Sequence, residues 1–336
     1  MLRFTAICVA AAFLSCLGGG GNAAPAPAYH VAARLPLTDG GWDLATFDPA
    51  LRRVYLARTD AVTAIDVATG QVTARLAPAN KGHAVVPLRD GAEILVTDGA
   101  TNTAEIFDAR TGAPLAQIKT GDKPDAALFD AATGLAVVMN GHSGSLTLID
   151  PATRQAVAEI AVGGGLELGA GDGAGRLFVN VEDRNELAVV DLKTRKVIAR
   201  IALAGCEGPT GVAWLPVSHR VLSSCANGVA AAVDPDAARV TALLPIGQGP
   251  DSVLYDAQRK IAFVPAGRSA ELDLFADEAA GVRGLGKVAT QAGARTGAID
   301  PATGRVYLPA AAFTVDPAGG KPRMTPGSAV MLVLAP

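Results

Sequence analysis

Residues 63–76 read TAIDVATGQVTARL, and the architecture follows from them. An alternating run ends in Ile65-Asp66, a polar turn spans Val67 to Gly70, and a second alternating run starts at Val72. Period-two alternation on both sides of a Gly-containing turn marks a β-hairpin. The unit recurs as FDARTGAPLAQI from Phe107, IDPATRQAVAEI from Ile149, VDLKTRKVIARI from Val190 and VDPDAARVTALL from Val233. The turn aspartates Asp66, Asp108, Asp150, Asp191 and Asp234 are spaced 42, 42, 41 and 43 residues apart. So regular a spacing marks a repeat architecture. Each of these carboxylates is read as turn chemistry, accepting from backbone N–H groups two residues on. None is assigned a catalytic role.

A second signature lies between the hairpins, in seven copies: FDPALRRVYLA from Phe47, LRDGAEILVTD from Leu88, FDAATGLAVVMN from Phe129, GDGAGRLFVNV from Gly171, LPVSHRVLSSC from Leu215, YDAQRKIAFVP from Tyr255 and IDPATGRVYLP from Ile299. Each is an apolar segment, a polar turn and a strongly apolar strand. Two strands here and two in the hairpin give four per repeat, the content of one propeller blade. The predicted fold is therefore all-β, a seven-bladed β-propeller of four-stranded antiparallel blades. The blades are placed at 39–82, 83–124, 125–165, 166–210, 211–250, 251–294 and 295–336. Blade six is irregular, with Ala276 where a turn Asp is expected. Blade seven carries a long loop, Pro309 to Gly327, expected on the channel-mouth face as a gate or partner contact, or else a floppy insertion.

The two ends of the repeat region are complementary. His30 to Leu37, HVAARLPL, matches the second half of the hairpin, and Ser328 to Leu334, SAVMLVL, matches the first half. The N-terminal strand is predicted to complete the last blade and close the ring, which removes exposed sheet edges.

The chain has 336 residues, half of them hydrophobic, and the regular period favours one long domain over two. A net charge of −3 without a basic block leaves no electrostatic footprint for nucleic acid. Residues 1–23 read as a secretory signal peptide: Arg3 begins it, Phe4 to Leu17 is apolar, and small residues follow up to Ala23. The apolar run is too short for a membrane span, so no transmembrane segment is expected in the mature chain. Residues 24–28 form a Pro/Ala linker, and 29–336 form the propeller. The predicted location is periplasmic or secreted, as a monomer. Leu14-Ser15-Cys16 followed by four glycines gives a lipoprotein anchored at Cys16 as the alternative.

The strand, Asp-turn and strand pattern resembles the YVTN-repeat β-propellers, exported bacterial seven-bladed proteins. The resemblance covers residues 30–336. Ile94-Leu95-Val96-Thr97-Asp98 comes closest to the literal Tyr-Val-Thr-Asn motif. GCEGPTGVAWLP from Gly205, LPIGQGPDSVLYD from Leu244 and VATQAGARTGAIDPATGRVYLP from Val288 resemble one subgroup. The resemblance implies the fold and leaves the activity open.

Candidate sites follow from the repeat. Five positions before the turn position of each innermost strand stand Asp43, Val85, Asp125, Glu167, Gly211, Asp251 and Arg295. Four acidic residues and one basic residue are a strong concentration in a chain that is only 18% charged. If they converge, Asp43, Asp125, Glu167 and Asp251, offset by Arg295, form a cation or polar-ligand site at the channel mouth. The competing reading is that the aspartates cap loops beside Pro124, Pro209 and Pro250. A second set, Arg58, Asp98, Asn140, Val181, Cys225, Pro265 and Ala310, ends the second strands and reads as solvated loop ends, with a polar pocket built from Arg58, Asp98 and Asn140 as the alternative. Of four histidines, His83 and His142 can reach the mouth, whereas His219 belongs to the opposite face.

No His-x-x-x-His, Gly-x-Ser-x-Gly or Cys-x-x-Cys motif is present. The preferred function is a non-catalytic exported propeller that presents its loop face to a protein or small ligand. No cofactor is required, although a divalent cation such as calcium is compatible with the acidic positions. One alternative is a metal-dependent lactonase-like hydrolase, for which Glu167, Asn140, Asp125 and Asp251 are the nearest ligand set. Another is an accessory protein of a periplasmic redox system. A quinoprotein site with stacking tryptophans is disfavoured, because only Trp42 and Trp214 are present and both read as core or channel lining.

The last expectation is a disulfide between Cys206 and Cys225. Signal-peptide removal leaves these two cysteines, and export places them where disulfides persist. Cys206 precedes the innermost strand of blade five and Cys225 ends the second strand. Antiparallel pairing brings those two ends together.

Overall fold

The computed structural model describes Met1 and residues 28–314 and 322–336. The rest of the predicted signal peptide, residues 24–27 of the linker and residues 315–321 of the long loop lie outside the described residues.

Seven four-stranded antiparallel sheets are arranged as the repeats require. Blade one runs from the innermost strand outward as Trp42–Asp48, Arg53–Arg58, Ala61–Asp66 and Val72–Pro78. Blades two to six keep the same sequential order. Blade seven does not. Its Ala298–Asp300, Arg305–Ala310 and Val330–Ala335 strands are joined by the N-terminal strand His30–Pro36. That strand pairs in register from His30↔Ala335 to Pro36↔Val330. The innermost strands contact one another in cyclic order, including that of blade seven against that of blade one. The ring is therefore closed through the joining of the two chain ends in one sheet.

Alternation decides where each side chain goes. Strands at the middle of each blade are buried on both faces, so Arg53–Arg58, Glu93–Asp98 and their equivalents are nearly continuous apolar runs. Between sheets these residues interlock. Val137, Met139, Leu146 and Leu148 of blade three pack on Leu177, Val179, Ala188 and Val190 of blade four. The closing seam is the same kind of contact: Val54, Leu56 and Ile65 meet Tyr307, Met331 and Val333. Each fully buried Val, Leu or Ile contributes ~1.5–3 kcal/mol, so the seam is as well secured as any internal junction. Tyr29 instead secures blade seven against blade six: its hydroxyl donates to the Gly304 carbonyl at 3.0 Å and its ring meets Phe263 edge-on.

The hairpin turns show the expected chemistry. Asp108 Oδ1 accepts from the backbone N–H groups of Arg110 (3.0 Å) and Thr111 (2.8 Å). Asp66, Asp150, Asp191 and Asp234 also cap their own turns. Gly112 closes the blade-two turn with φ 71°, and a β-carbon there would stand 1.7 Å from the Leu76 carbonyl oxygen, so only glycine fits. In blade six the strands Glu271–Glu278 and Gly281–Ala289 form a hairpin without that cap. Asp277 instead accepts from the Val217 and Ser218 N–H groups and the Tyr255 hydroxyl, tying blade six to blade five.

Candidate functional site at the channel mouth

The site is built by a defect repeated in successive blades. In blades one to five the pairing of the innermost strand with its neighbour slips near its start, between Trp42/Ala45, Gly82/Val85, Pro124/Ala126, Leu166/Gly169 and Pro209/Val212. A bulge places extra residues opposite one partner and re-aims side chains. Consecutive residues then line the same cavity: Asp43 with Leu44, Asp125 with Ala126, and Glu167 with Leu168. In blades six and seven the regular strands begin only at Leu254 and Ala298, so Asp251 and Arg295 lie in the segments that lead into them.

The structure corrects the repeat alignment in two blades. Leu88 pairs with Glu93, as Asp48 pairs with Arg53. Five positions before Leu88 is His83, not Val85, which is buried in the core between blades one and two. In blade five Leu215 pairs with Arg220, which selects Thr210 rather than Gly211. Counting from the turn Asp misleads in blade two because Asp90 lies inside the turn. Counting from the end of the strand, with four turn residues, finds His83 in the sequence. The corrected ring is Asp43, His83, Asp125, Glu167, Thr210, Asp251 and Arg295, polar at every position.

Six of these side chains line one cavity of about 200 Å³, with Lys123 on its wall. Thr210 lines an adjoining vestibule of about 540 Å³, and Asp251 and Arg295 line both spaces. His83 Nδ1 stands 2.6 Å from Asp43 Oδ2 and 3.1 Å from Asp125 Oδ1. The other Asp125 oxygen receives Lys123 Nζ at 2.7 Å. Arg295 Nε donates to Asp251 Oδ2 at 2.7 Å, and its NH2 lies 3.6 Å from Asp43 Oδ1. The carboxylate partners are thus side chains, mostly from other blades, which replaces the loop-capping reading.

Four carboxylates and two permanent cations share the cavity, and the imbalance shows in their acidities. Burial pushes Glu167 up to about 8, reinforced by the charges of Asp125, Glu182 and Asp251. Burial also raises Asp251, against the opposing pull of Arg295. The hydrogen bond that His83 donates to the Asp43 carboxylate raises His83 against burial, with the Asp125 charge adding to it. Lys123 is held above its ordinary value because Asp125 outweighs the cost of burying the ammonium.

The second set of sequence candidates belongs to the scaffold. Arg58, Asp98 and Asn140 are buried rather than solvated. Arg58 donates to the carbonyls of Thr38, Gly40 and Gly41, and Asp98 accepts from the N–H groups of Asn80, Ala100 and Thr101. The Asn140 amide donates to Ser145 Oγ and Thr147 Oγ1 within blade three. Of the lactonase-like set, Glu167, Asp125 and Asp251 line the cavity, whereas Asn140 is held within blade three. Trp42 packs near Phe313, and Trp214 stacks on Phe178, so neither offers an open stacking face.

The disulfide forms as predicted, with Cys206 and Cys225 Cα atoms 5.4 Å apart. It fixes the segment before the blade-five innermost strand at the mouth face, where Ala226 and Thr210 line the vestibule. Phe313 and Pro322, from the described parts of the long loop, line the same vestibule and so place them on the mouth face.

The fold recurs among solved structures of low sequence identity. A chain of the Kuenenia stuttgartiensis hydrazine synthase is 16% identical with a TM-score of 0.70, covering 81% of this chain and 93% of its own. A chain in a structure of the mitotic checkpoint complex is 13% identical with a TM-score of 0.71, covering 100% of this chain and 99% of its own. U3-55K is 12% identical with a TM-score of 0.71, covering 92% and 98%. No protein-family model matches the sequence, and no curated protein matches it. Among the described residues, no helix is long and apolar enough to cross a membrane.

Proposed function

We propose that this chain is an exported β-propeller of the YVTN-repeat kind. It acts as a non-catalytic binding module that presents its channel mouth to a protein segment or a small polar ligand. The observation that carries this reading is the corrected ring. Seven equivalent backbone positions all bear polar side chains, six of them around one cavity beneath a wider vestibule. Drift on a scaffold does not favour a polar residue at every equivalent position. Rigid strands with mutually held side chains also suit a preorganised binding site. Export is supported by the leader-like residues 1–23 and by a cysteine pair positioned to bridge. The same reading has the mature chain as a monomer.

Capture from the periplasmic extract of the native host tests it. The immobilised mature chain is compared with a mouth variant, Asp125→Asn/Asp251→Asn, and with His219→Ala on the opposite face. Capture of one defined ligand should be lost with the mouth variant and kept with His219→Ala. Equal retention by both variants overturns the assignment of the mouth.

A further inference from the structure

We propose that Asp43 Oδ2, His83 Nδ1 and Asp125 Oδ1 are the protein ligands of a divalent transition-metal ion such as Zn²⁺ or Mn²⁺. This inference rests on the channel-mouth reading and names what part of that mouth holds. The three donor atoms come from the same register position in three successive blades. They all lie within 4.8 Å of one another. Ligand bonds of about 2 Å in a tetrahedral arrangement separate donor atoms by about 3.3 Å. The observed 2.6 and 3.1 Å separations from His83 would widen by about 0.7 and 0.2 Å to reach it. One Nδ1–H can align with only one of the two carboxylates, whereas an ion between them satisfies all three atoms.

The surroundings have the form of an outer shell around a metal. Each carboxylate turns one oxygen to His83 and the other toward a fixed cation, Lys123 for Asp125 and Arg295 for Asp43. Both therefore point a single oxygen inward. Their backbones are pinned as well: Thr296 Oγ1 donates to the Asp43 carbonyl at 2.7 Å and Thr97 Oγ1 to the Asp125 carbonyl at 3.3 Å. Partners of this kind orient ligands. The His83 ring is fixed from behind. A β-carbon on Gly99 would stand 2.8 Å from Nε2, so glycine there leaves room for the ring, whose Nδ1 faces the carboxylates.

Charge points the same way. Four carboxyl groups outnumber the two permanent cations that line the cavity, which favours an added cation. The ligand set also selects the ion. Calcium needs six to eight oxygens, and two inward carboxylate oxygens with an imidazole supply too few. Imidazole with carboxylate suits zinc or manganese and leaves coordination positions open to the cavity.

Calorimetric titration of the chelator-stripped mature chain, disulfide intact, with ZnCl₂, MnCl₂ and CaCl₂ tests the proposal. One Zn²⁺ or Mn²⁺ should bind per chain, more tightly than Ca²⁺. His83→Ala and Asp125→Asn should each weaken binding at least about tenfold. Asp66→Asn, at a hairpin turn, should leave it unchanged. Should His83→Ala fail to fold, His83→Gln and Asp125→Asn decide the matter. Cobalt provides a second readout, a visible absorption band that His83→Gln abolishes. Absence of stoichiometric binding to the folded chain, tighter binding of Ca²⁺, or unchanged binding without His83 overturns the proposal. Ligand capture that persists in chelator, with no metal bound, removes the ion and leaves the binding module standing. Metal binding without ligand capture does the reverse.

Discussion

The hairpin turns and the channel mouth both rely on aspartate, and use it in opposite ways. Asp108 gives its oxygens to its own turn, two and three residues away. That arrangement is complete within the hairpin and needs no other blade. Asp43 is joined instead to His83 of blade two and Arg295 of blade seven. Asp251 of blade six depends on the same Arg295. A carboxylate that satisfies itself locally stabilises one turn. A carboxylate satisfied across blades exists as a site only after the ring closes. Residue type therefore says little about role here, whereas sequence distance to the partner says a great deal.

The contrast breaks most severely if the ring is opened. Deleting residues 29–38 removes the outermost strand of blade seven and its pairing from His30↔Ala335 onward. The hairpin turns survive as local structure, but the mouth loses its frame. The expected outcome is loss of the cooperative thermal transition, read by circular dichroism. A melt like that of the full chain would show that closure does not depend on this strand.

Next in size is the disulfide. Cys206→Ser/Cys225→Ser should cost about 3 kcal/mol in chemical denaturation, from a loop of 19 residues' separation. Thiol counting on denatured, unreduced protein should find no free thiol in the mature wild-type chain. Arg295→Met comes third. It leaves Asp251 without its partner in a site largely shielded from water, and should cost about 1–2 kcal/mol after allowing for partial solvent contact. Adding Asp251→Asn should restore most of that loss. No such rescue is expected at a hairpin turn, where the partners are backbone groups.

The same contrast explains what the sequence could reveal. Blade number, strand order, ring closure and the disulfide were all legible, because each follows from alternation, turn residues and a fixed period. Asp43, Asp125, Glu167, Asp251 and Arg295 were legible as a ring, because blades one, three, four, six and seven each carry a turn Asp five positions further on. His83 was obscured because Asp90 sits two positions beyond the strand end marked by Leu88. Lys123 was missed because it lies just before Pro124–Asp130 and reaches Asp125 only through side-chain geometry. The bulges have no sequence signature of their own, so the pairing of Asp125 with Ala126 as adjacent lining residues was beyond the alternation rule. Arg58, Asp98 and Asn140 were read as solvated because polar residues at strand ends usually are. Their burial depends on loops folding back over them.

Dependence on pH separates the two kinds of carboxylate. Glu167 sits at about 8 in the folded chain, against an ordinary value of 4.5. Below 4.5 both folded and unfolded chains hold its proton, and the full stability is present. As pH rises further the unfolded chain releases the proton first, so stability falls toward pH 8 and then levels off, by at most about 1.4 kcal/mol per pH unit. Glu167→Gln should flatten that decline in chelator-containing buffer and leave the acid limb alone. Asp108 lies on the other side. The Thr111 N–H and hydroxyl, with the Arg110 N–H, hold it below its ordinary 3.8. Its contribution is present above that value and is lost as pH falls through the folded value. Asp108→Ala should therefore shallow the acid limb slightly, leave the decline toward pH 8 unchanged and leave Zn²⁺ binding intact. Melting temperature against pH for the two variants reads both limbs at once. If either variant moves the limb assigned to the other, the two sets of carboxylates are coupled, and the division between local turn and shared site fails.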